Sequence, residues 1–130
     1  MDIVFLDIED VLAIHADQIQ HYGGSAGIRD KGLLESAVAM PKASFGGQFA
    51  HQDIYEMAGA YLFHIVMNHP FVDGNKRTGT VCAIAFFKLN GIQVKPDNEA
   101  FVEFVLAVAQ SQKTKPQIAE FLKQHSRPQD

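Results

Sequence analysis

The stretch DIYEMAGAYLFHIVMNHPFVDGNKRTGTVCAIAFFKLNG, Asp53 to Gly91, decides how this chain folds. Its first half places Ile54, Met57, Ala58, Tyr61, Leu62, Ile65 and Val66 at three- and four-residue spacing, the mark of a helix with one broad buried face. Asp53, with Glu56 three residues on, has the form of a capping box at its start. The second half repeats the spacing at Thr78, Val81, Cys82, Ala85, Phe86 and Leu89, a helix from about Gly74 to Asn90. Gly91 suits the left-handed residue after its end. Between the two lies a short connection, His69 to Gly74, and the two helices are expected to be the central pair.

Outward from this pair the pattern stays helical. Ile3 to Leu6 is a short apolar run, read as extended. Asp7 can cap a helix reaching Tyr22, with Val11, Leu12, His15 and Ile19 inward and Gly23-Gly24 stopping it. Asp30 can cap a shorter one carrying Leu33, Leu34, Ala37 and Val38, which Pro41 ends. Lys42 to Phe49 reads as a hairpin-like flap or a plain loop around Gly46-Gly47. Asp97 caps a helix with Phe101, Phe104, Val105 and Val108. Thr114 with Gln117 opens a last one with Ile118, Phe121 and Leu122. The tail from Ser126 to Asp130 is polar and read as loose. The expectation is a mainly α fold, one domain over residues 1–130, with about six helices, an extended N-terminal segment and a hairpin flap.

Composition narrows the function classes. With 130 residues the chain can bury one core. A hydrophobic fraction of 47% and a charged fraction of 20% are ordinary for a water-soluble protein. The formal charge of -4 argues against direct nucleic-acid binding. A single cysteine, Cys82 in an apolar run, excludes an internal disulfide and reads as a buried thiol. The N-terminal residues lack the basic start of a signal peptide, and no run reaches membrane-spanning length, so the expectation is a cytoplasmic protein without membrane contact.

The connection His69-Pro70-Phe71-Val72-Asp73-Gly74-Asn75-Lys76-Arg77 is dense in reactive groups. A helix N-terminus presents unpaired N–H groups and partial positive charge to an anion. Gly74 permits close backbone approach, and the N–H groups of Gly74, Asn75 and Lys76 form a potential phosphate cradle. Arg77 offers a planar fork of donors and Lys76 a compact cation. Asp73 is a hard oxygen ligand suited to Mg²⁺ shared with phosphates. A histidine, here His69, can accept a proton from an attacking hydroxyl near neutral pH. Singly, each residue also has a structural reading: Asp-Gly-Asn makes turns, and Asn75 can cap a helix. Their combination within one loop favours a phosphate site. A P-loop is excluded, because Gly74 lacks the second glycine of that pattern and follows a helix rather than a strand.

These residues resemble the Fic/Doc family, its Doc (death-on-curing) branch above all. The Fic pattern H-P-F-x-[DE]-G-N-G-R-x-x-R matches His69 through Asn75 in full. Lys76 stands where Fic enzymes have glycine, and Thr80 where they have a second arginine. Both departures look like the G-N-K-R-T signature of the Doc branch. Tyr22-Gly23-Gly24, Ile28-Arg29-Asp30, Gly32 to Ser36 and Phe45-Gly46-Gly47 also look Doc-like, so the resemblance covers most of the chain.

The resemblance implies ATP and Mg²⁺ as cosubstrate and metal, His69 as general base, Asp73 as Mg²⁺ ligand, and Gly74, Asn75, Lys76 and Arg77 as the phosphate-binding set. It implies a toxin of a toxin–antitoxin pair, aimed at a hydroxyl of a protein of the translation machinery, such as an elongation factor. The departures at Lys76 and Thr80 favour phosphoryl transfer to a Ser/Thr hydroxyl over the AMP transfer (AMPylation) of Fic enzymes. No Glu has Ser or Thr four residues before it, so the inhibitory [ST]-x-x-x-E-[GN] element is missing and restraint is expected from a cognate antitoxin acting in trans. The reading from a different class is a non-catalytic interaction module, against which intact His69 and Asp73 speak.

Around the motif, Phe45, Gly46 and Gly47 are the candidate target-docking flap, by strand addition. Lys42 and His51 are weaker candidates for the cleft. His64, five residues before His69, reads as a partly buried structural histidine. Arg29 and Glu35 are expected to form a structural ion pair. Phe71 is expected to anchor the loop on the core.

Overall fold

A computed structural model describes residues 2–95 and 97–129. Six α-helices follow one another: α1 (Ile8–Tyr22), α2 (Lys31–Ala39), α3 (Ile54–Asn68), α4 (Asn75–Leu89), α5 (Asn98–Ala109) and α6 (Lys115–Gln124). A 3-10 turn, Met40–Lys42, carries Pro41 and closes α2. Strands β1 (Ser44–Phe45) and β2 (Gln48–Phe49) pair antiparallel around Gly46-Gly47, so the flap is a true hairpin. Strands β3 (Ile92–Val94) and β4 (Ser126–Pro128) pair antiparallel as well.

Capping side chains account for where most helices begin. Asp7, Asp30, Asp53, Asp97 and Thr114 each accept a hydrogen bond from the N–H three residues on. The box at Thr114 and Gln117 is reciprocal, as expected. At Asp53 the box is half formed, because the Glu56 carboxylate takes the N–H of Gln52.

The centre is the α3–α4 pair, and α3 is covered on several sides. Gly59 lets α6 approach, since a Cβ there would sit 3.3 Å from Ile118 Cγ2. Gly79 does the same for α4, where a Cβ would meet Val66 Cγ2 at 3.0 Å. Tyr61, Phe86 and Phe87 are fully buried between these elements, each stabilising the fold by about 2 kcal/mol. Cys82 is buried as read, and burial pushes its thiol far above the usual range. No helix of the described residues is long and apolar enough to cross a membrane.

Among the described residues of the N-terminal segment, 2–7 belong to no helix or strand. Tyr61 Oη donates to the Leu6 carbonyl at 3.2 Å and accepts the Leu6 N–H at 2.9 Å. Asn90 holds Val4 in the same way, at 2.9 and 2.8 Å.

Two expectations are corrected. The tail is not loose, because Ser126–Pro128 completes a sheet with Ile92–Val94 and Ser126 Oγ donates to the Leu122 carbonyl at 2.6 Å. A polar segment can be ordered by backbone pairing that side-chain patterning does not encode. The buried face of α4 is also rotated from the expected one: it holds Ala83 and Phe87 beside Thr78, Cys82 and Phe86, while Leu89 is exposed. Because α4 touches α1, α3, α5 and β3, no single stripe describes it.

Candidate active site

The motif loop leaves α3 through a left-handed residue. His69 adopts φ 52° and ψ 52° as the C-cap of α3, a conformation that costs a non-glycine residue about 1 kcal/mol. Two contacts hold it there. The His69 N–H donates to the Ile65 carbonyl at 3.3 Å. Arg29 Nε donates to the His69 carbonyl at 2.6 Å and Arg29 Nη2 to the Asn68 carbonyl at 2.9 Å. A guanidinium on the last carbonyls of a helix also complements its dipole. Arg29 is therefore a clamp on the loop, and the expected ion pair with Glu35 is not among the contacts of the described residues. The His69 ring itself is exposed.

Phe71 turns the chain inward and is fully buried, as expected of an anchor. It pairs with Ile28, and the Pro70 carbonyl accepts the N–H groups of Arg29 and Asp30 at 2.7 and 3.0 Å. Asn75 completes the anchor. Its side chain accepts the Phe71 N–H at 2.9 Å and donates to the Phe71 carbonyl at 3.0 Å, while only 4% of the residue is exposed. That side chain is thus fully engaged, and what Asn75 offers an anion is its backbone N–H.

Asp73 and Gly74 open the next helix. Gly74 is left-handed, with φ 79°, and α4 has no side-chain cap. The Gly74 N–H is taken by Asp73 Oδ1 at 2.9 Å, so it does not belong to the expected cradle. The first helical bond runs from the Thr78 N–H to the Gly74 carbonyl. The N–H groups of Asn75, Lys76 and Arg77 therefore have no partner among the described residues, and the cradle sits one residue further along than expected.

The loop after α1 forms the opposite wall. The Ser25 N–H donates to Asp73 Oδ2 at 3.2 Å, and Gly24 makes room, since a Cβ there would lie 2.7 Å from that oxygen. Arg77 Nη2 donates to the Gly23 carbonyl at 3.0 Å, with the guanidinium over the Tyr22 ring at 5.6 Å. The N–H groups of Ser25 and Gly74, then the charges of Arg77 and Lys76, hold the Asp73 carboxyl below its usual range. His15, read from sequence only as part of an inward face, places Nε2 2.8 Å from the Asp73 carbonyl.

His69, Asp73, Gly74, Asn75, Lys76 and Arg77 line one cavity of about 290 Å³, with Val72. The hairpin residues Phe45, Gly46 and Gly47 do not line it. Phe49 packs on Phe5, which stacks on Phe86, and Phe45 projects into solvent.

A larger cavity of about 400 Å³ lies elsewhere, between the start of α3 and α6. His51 lines it and meets Lys115 Nζ at 3.3 Å. So His51 faces this second cavity and not the motif. Its mixed acids and bases converge on no reacting centre, whereas the smaller cavity combines an ionised carboxylate, unpaired N–H groups and two cations. No group of three or more metal-ligating side chains occurs among the described residues. A cation here would take Asp73 and complete its shell from phosphates and water, which is how Mg²⁺ is usually held.

Comparison with known proteins places the chain in a family. A model of the Fic/DOC family matches residues 5–87, from the N-terminal segment into the last turn of α4. The protein named "Toxin Doc" of Mycolicibacterium smegmatis is 43% identical over 93 residues, which is 72% of this chain and 69% of that protein. The "Protein kinase doc" of Escherichia phage P1 is 34% identical over 86 residues, 66% of this chain and 68% of its own length. With the motif seated between α3 and α4 and the match running from the N-terminal segment through that pair, the chain belongs to the Fic/Doc family.

Proposed function

We propose that this protein is a Doc-type toxin that transfers the terminal phosphoryl group of ATP to a Ser or Thr hydroxyl of another protein. The observation that carries the reading is the uncapped start of α4, where unpaired N–H groups, Lys76, Arg77 and the exposed Asp73 carboxylate share one cavity with His69. In this reading the hydroxyl gives its proton to His69 as its oxygen attacks the γ-phosphorus, and the bond from that phosphorus to the bridging oxygen breaks to release ADP. Asp73 would hold Mg²⁺, which supplies charge neutralisation on the phosphates. The N–H groups of Asn75, Lys76 and Arg77 with the two side-chain cations take the remaining phosphate charge.

AMP transfer is the rival within the family. Two features favour phosphoryl transfer. Lys76 puts a flexible cation at the cradle, where the Fic pattern has glycine. Thr80 is short, and its hydroxyl donates to the Lys76 carbonyl at 2.9 Å, so it offers phosphate no clamp. The name of the phage relative points the same way. The target is proposed to belong to the translation machinery, with an elongation factor as first candidate, and a cognate antitoxin is proposed to restrain the toxin in trans. The hairpin Phe45–Gly47, with its exposed phenylalanine, is the proposed dock for the target backbone.

The test is incubation of cell extract with protein, Mg²⁺ and ATP labelled at either the α or the γ phosphate. Label from the γ position is expected on one protein, and its absence with His69→Ala. Label from the α position would replace the reading with AMP transfer. Modification that survives His69→Ala would exclude His69 as the base, and toxicity that survives it with no label transferred would favour the interaction-module reading.

A further inference from the structure

We propose that His15 of α1 is a positioning residue for Asp73, the group assigned above to hold the divalent cation; the proposal rests on that assignment. His15 sits on the buried face of α1 with Val11 and Gln18, and only 5% of it is exposed. A polar ring in such a place needs a partner. Its Nε2 lies 2.8 Å from the Asp73 carbonyl oxygen. That oxygen only accepts, so Nε2 carries the proton and donates. The ring plane is fixed as well, lying 3.7 Å from Phe71 and within 5° of parallel. One side chain thus grips the motif loop at two points, the anchor ring and the backbone of Asp73.

The grip matters because Asp73 belongs to no helix or strand and, among the described residues, its carbonyl is held by His15 alone. Asp73 lies outside both helices, between exposed Val72 and left-handed Gly74. Its carboxylate takes one N–H on each oxygen, and those bonds set the direction only if the backbone is fixed. Helix α1 also forms the floor beneath the turn. A Cβ at Gly24 or Gly74 would meet Ile19 Cδ1 at 3.2 Å, and one at Gly74 would lie 3.8 Å from His15 Cδ2. Groups that orient a metal ligand from outside its coordination sphere tune affinity strongly.

Two substitutions separate the two contacts. His15→Phe keeps a flat ring over Phe71 and removes the N–H; His15→Gln keeps an N–H donor and removes the stack. Binding of Mn²⁺ with ATP, followed by electron paramagnetic resonance, is expected to weaken about tenfold in His15→Phe and to recover in His15→Gln. Asp73→Asn is the reference. If Asp73→Asn binds Mn²⁺ with ATP as the wild type does, the metal assignment fails and takes this proposal with it. If Asp73→Asn weakens binding and His15→Phe does not, the positioning role alone is overturned; a merely structural His15 would lower the melting temperature without moving the Mn²⁺ affinity. Should His15→Phe fail to fold, long-range ¹H–¹⁵N spectra of the wild type decide. A proton on Nε2 whose shift moves on adding Mg²⁺ and ATP, but not in Asp73→Asn, supports the proposal. A proton on Nδ1 alone, or an Nε2 signal unmoved in the wild type, overturns it.

Discussion

The starts of α4 and α6 are built from the same backbone and end up chemically opposite. At α6 the Thr114 hydroxyl and the Gln117 side chain satisfy the helix reciprocally. At α4 the first residue outside is Gly74, with no side chain to cap anything, and three N–H groups have no partner among the described residues. The cavity beside α6 is the larger of the two, yet its helix start commits the Gln117 N–H to Thr114, and Pro116 brings no N–H at all. The cavity beside α4 is smaller and keeps donors, cations and a carboxylate for something else. Capping stabilises a helix by removing the groups a phosphate would use. Volume does not distinguish these regions; unpaired polar groups do.

The strongest way to break this contrast is to exchange a histidine from each side. His69→Ala is expected to lower the transfer rate by roughly 10²–10⁴-fold, the usual effect of losing a general base. His51→Ala, in the larger cavity, is expected to leave the rate unchanged, measured with labelled ATP and the modified target. An equal loss in both would mean that the α6 cavity belongs to the site.

The next effect is on stability. Asn75→Ala leaves the buried N–H and carbonyl of Phe71 without partners, at a cost of about 3 kcal/mol. Urea unfolding is expected to show this as a lower midpoint with unchanged slope. A loss below about 1 kcal/mol would mean that Phe71 is held by packing alone.

Removing the cap on the closed side sharpens the comparison further. Thr114→Ala is expected to lower stability by about 1 kcal/mol without altering transfer, because those donors serve only the helix. A matching loss of transfer rate would contradict the separation of the two ends.

The last effect is a dependence on acid. Burial, then the charges of Lys115 and His51, depress the His64 imidazole from 6.5 to about 4. The unfolded chain therefore takes up a proton there before the folded one does. This contribution to stability is complete above pH 6.5 and is lost as pH falls toward about 4. His64→Leu is expected to flatten that part of the stability profile, read by thermal melts across the range. An unchanged slope would place the acid sensitivity elsewhere. Asp73 acts mainly at more acid pH, because its carboxyl is held below the usual 3.8 in the fold and its contribution to stability is lost as pH falls through that value.

Much of the fold was legible because helix starts are written in short side chains. Asp7, Asp30, Asp53, Asp97 and Thr114 announce five of the helices, and the apolar spacing of α3 announces its burial. Leu89 and the tail were misread for one reason. Which side of α4 is covered, and whether Ser126–Pro128 finds a strand to pair with, depend on neighbours distant in sequence. The site was legible as a cluster, since His69, Asp73, Lys76 and Arg77 share one loop. Its supports were not: His15, Gly24, Ser25 and Arg29 come from α1 and the segment after it, and none has a spacing that points to the motif.

By itself, the sequence determined the helices, the motif at the junction of α3 and α4, and the open start that a glycine at position 74 imposes. Those are local consequences of periodicity, capping and backbone freedom. Only the tertiary structure decided how the donors are shared. It gave the Gly74 N–H to Asp73, committed the Asn75 side chain to Phe71, and left the N–H groups of Asn75, Lys76 and Arg77 without a partner among the described residues. It also brought α1 beneath the loop, so that Asp73 is held from a helix 58 residues away in the chain. A hydrogen-bonding group can serve one partner or another, and which one it serves is settled by packing at long range, where local pattern carries no information.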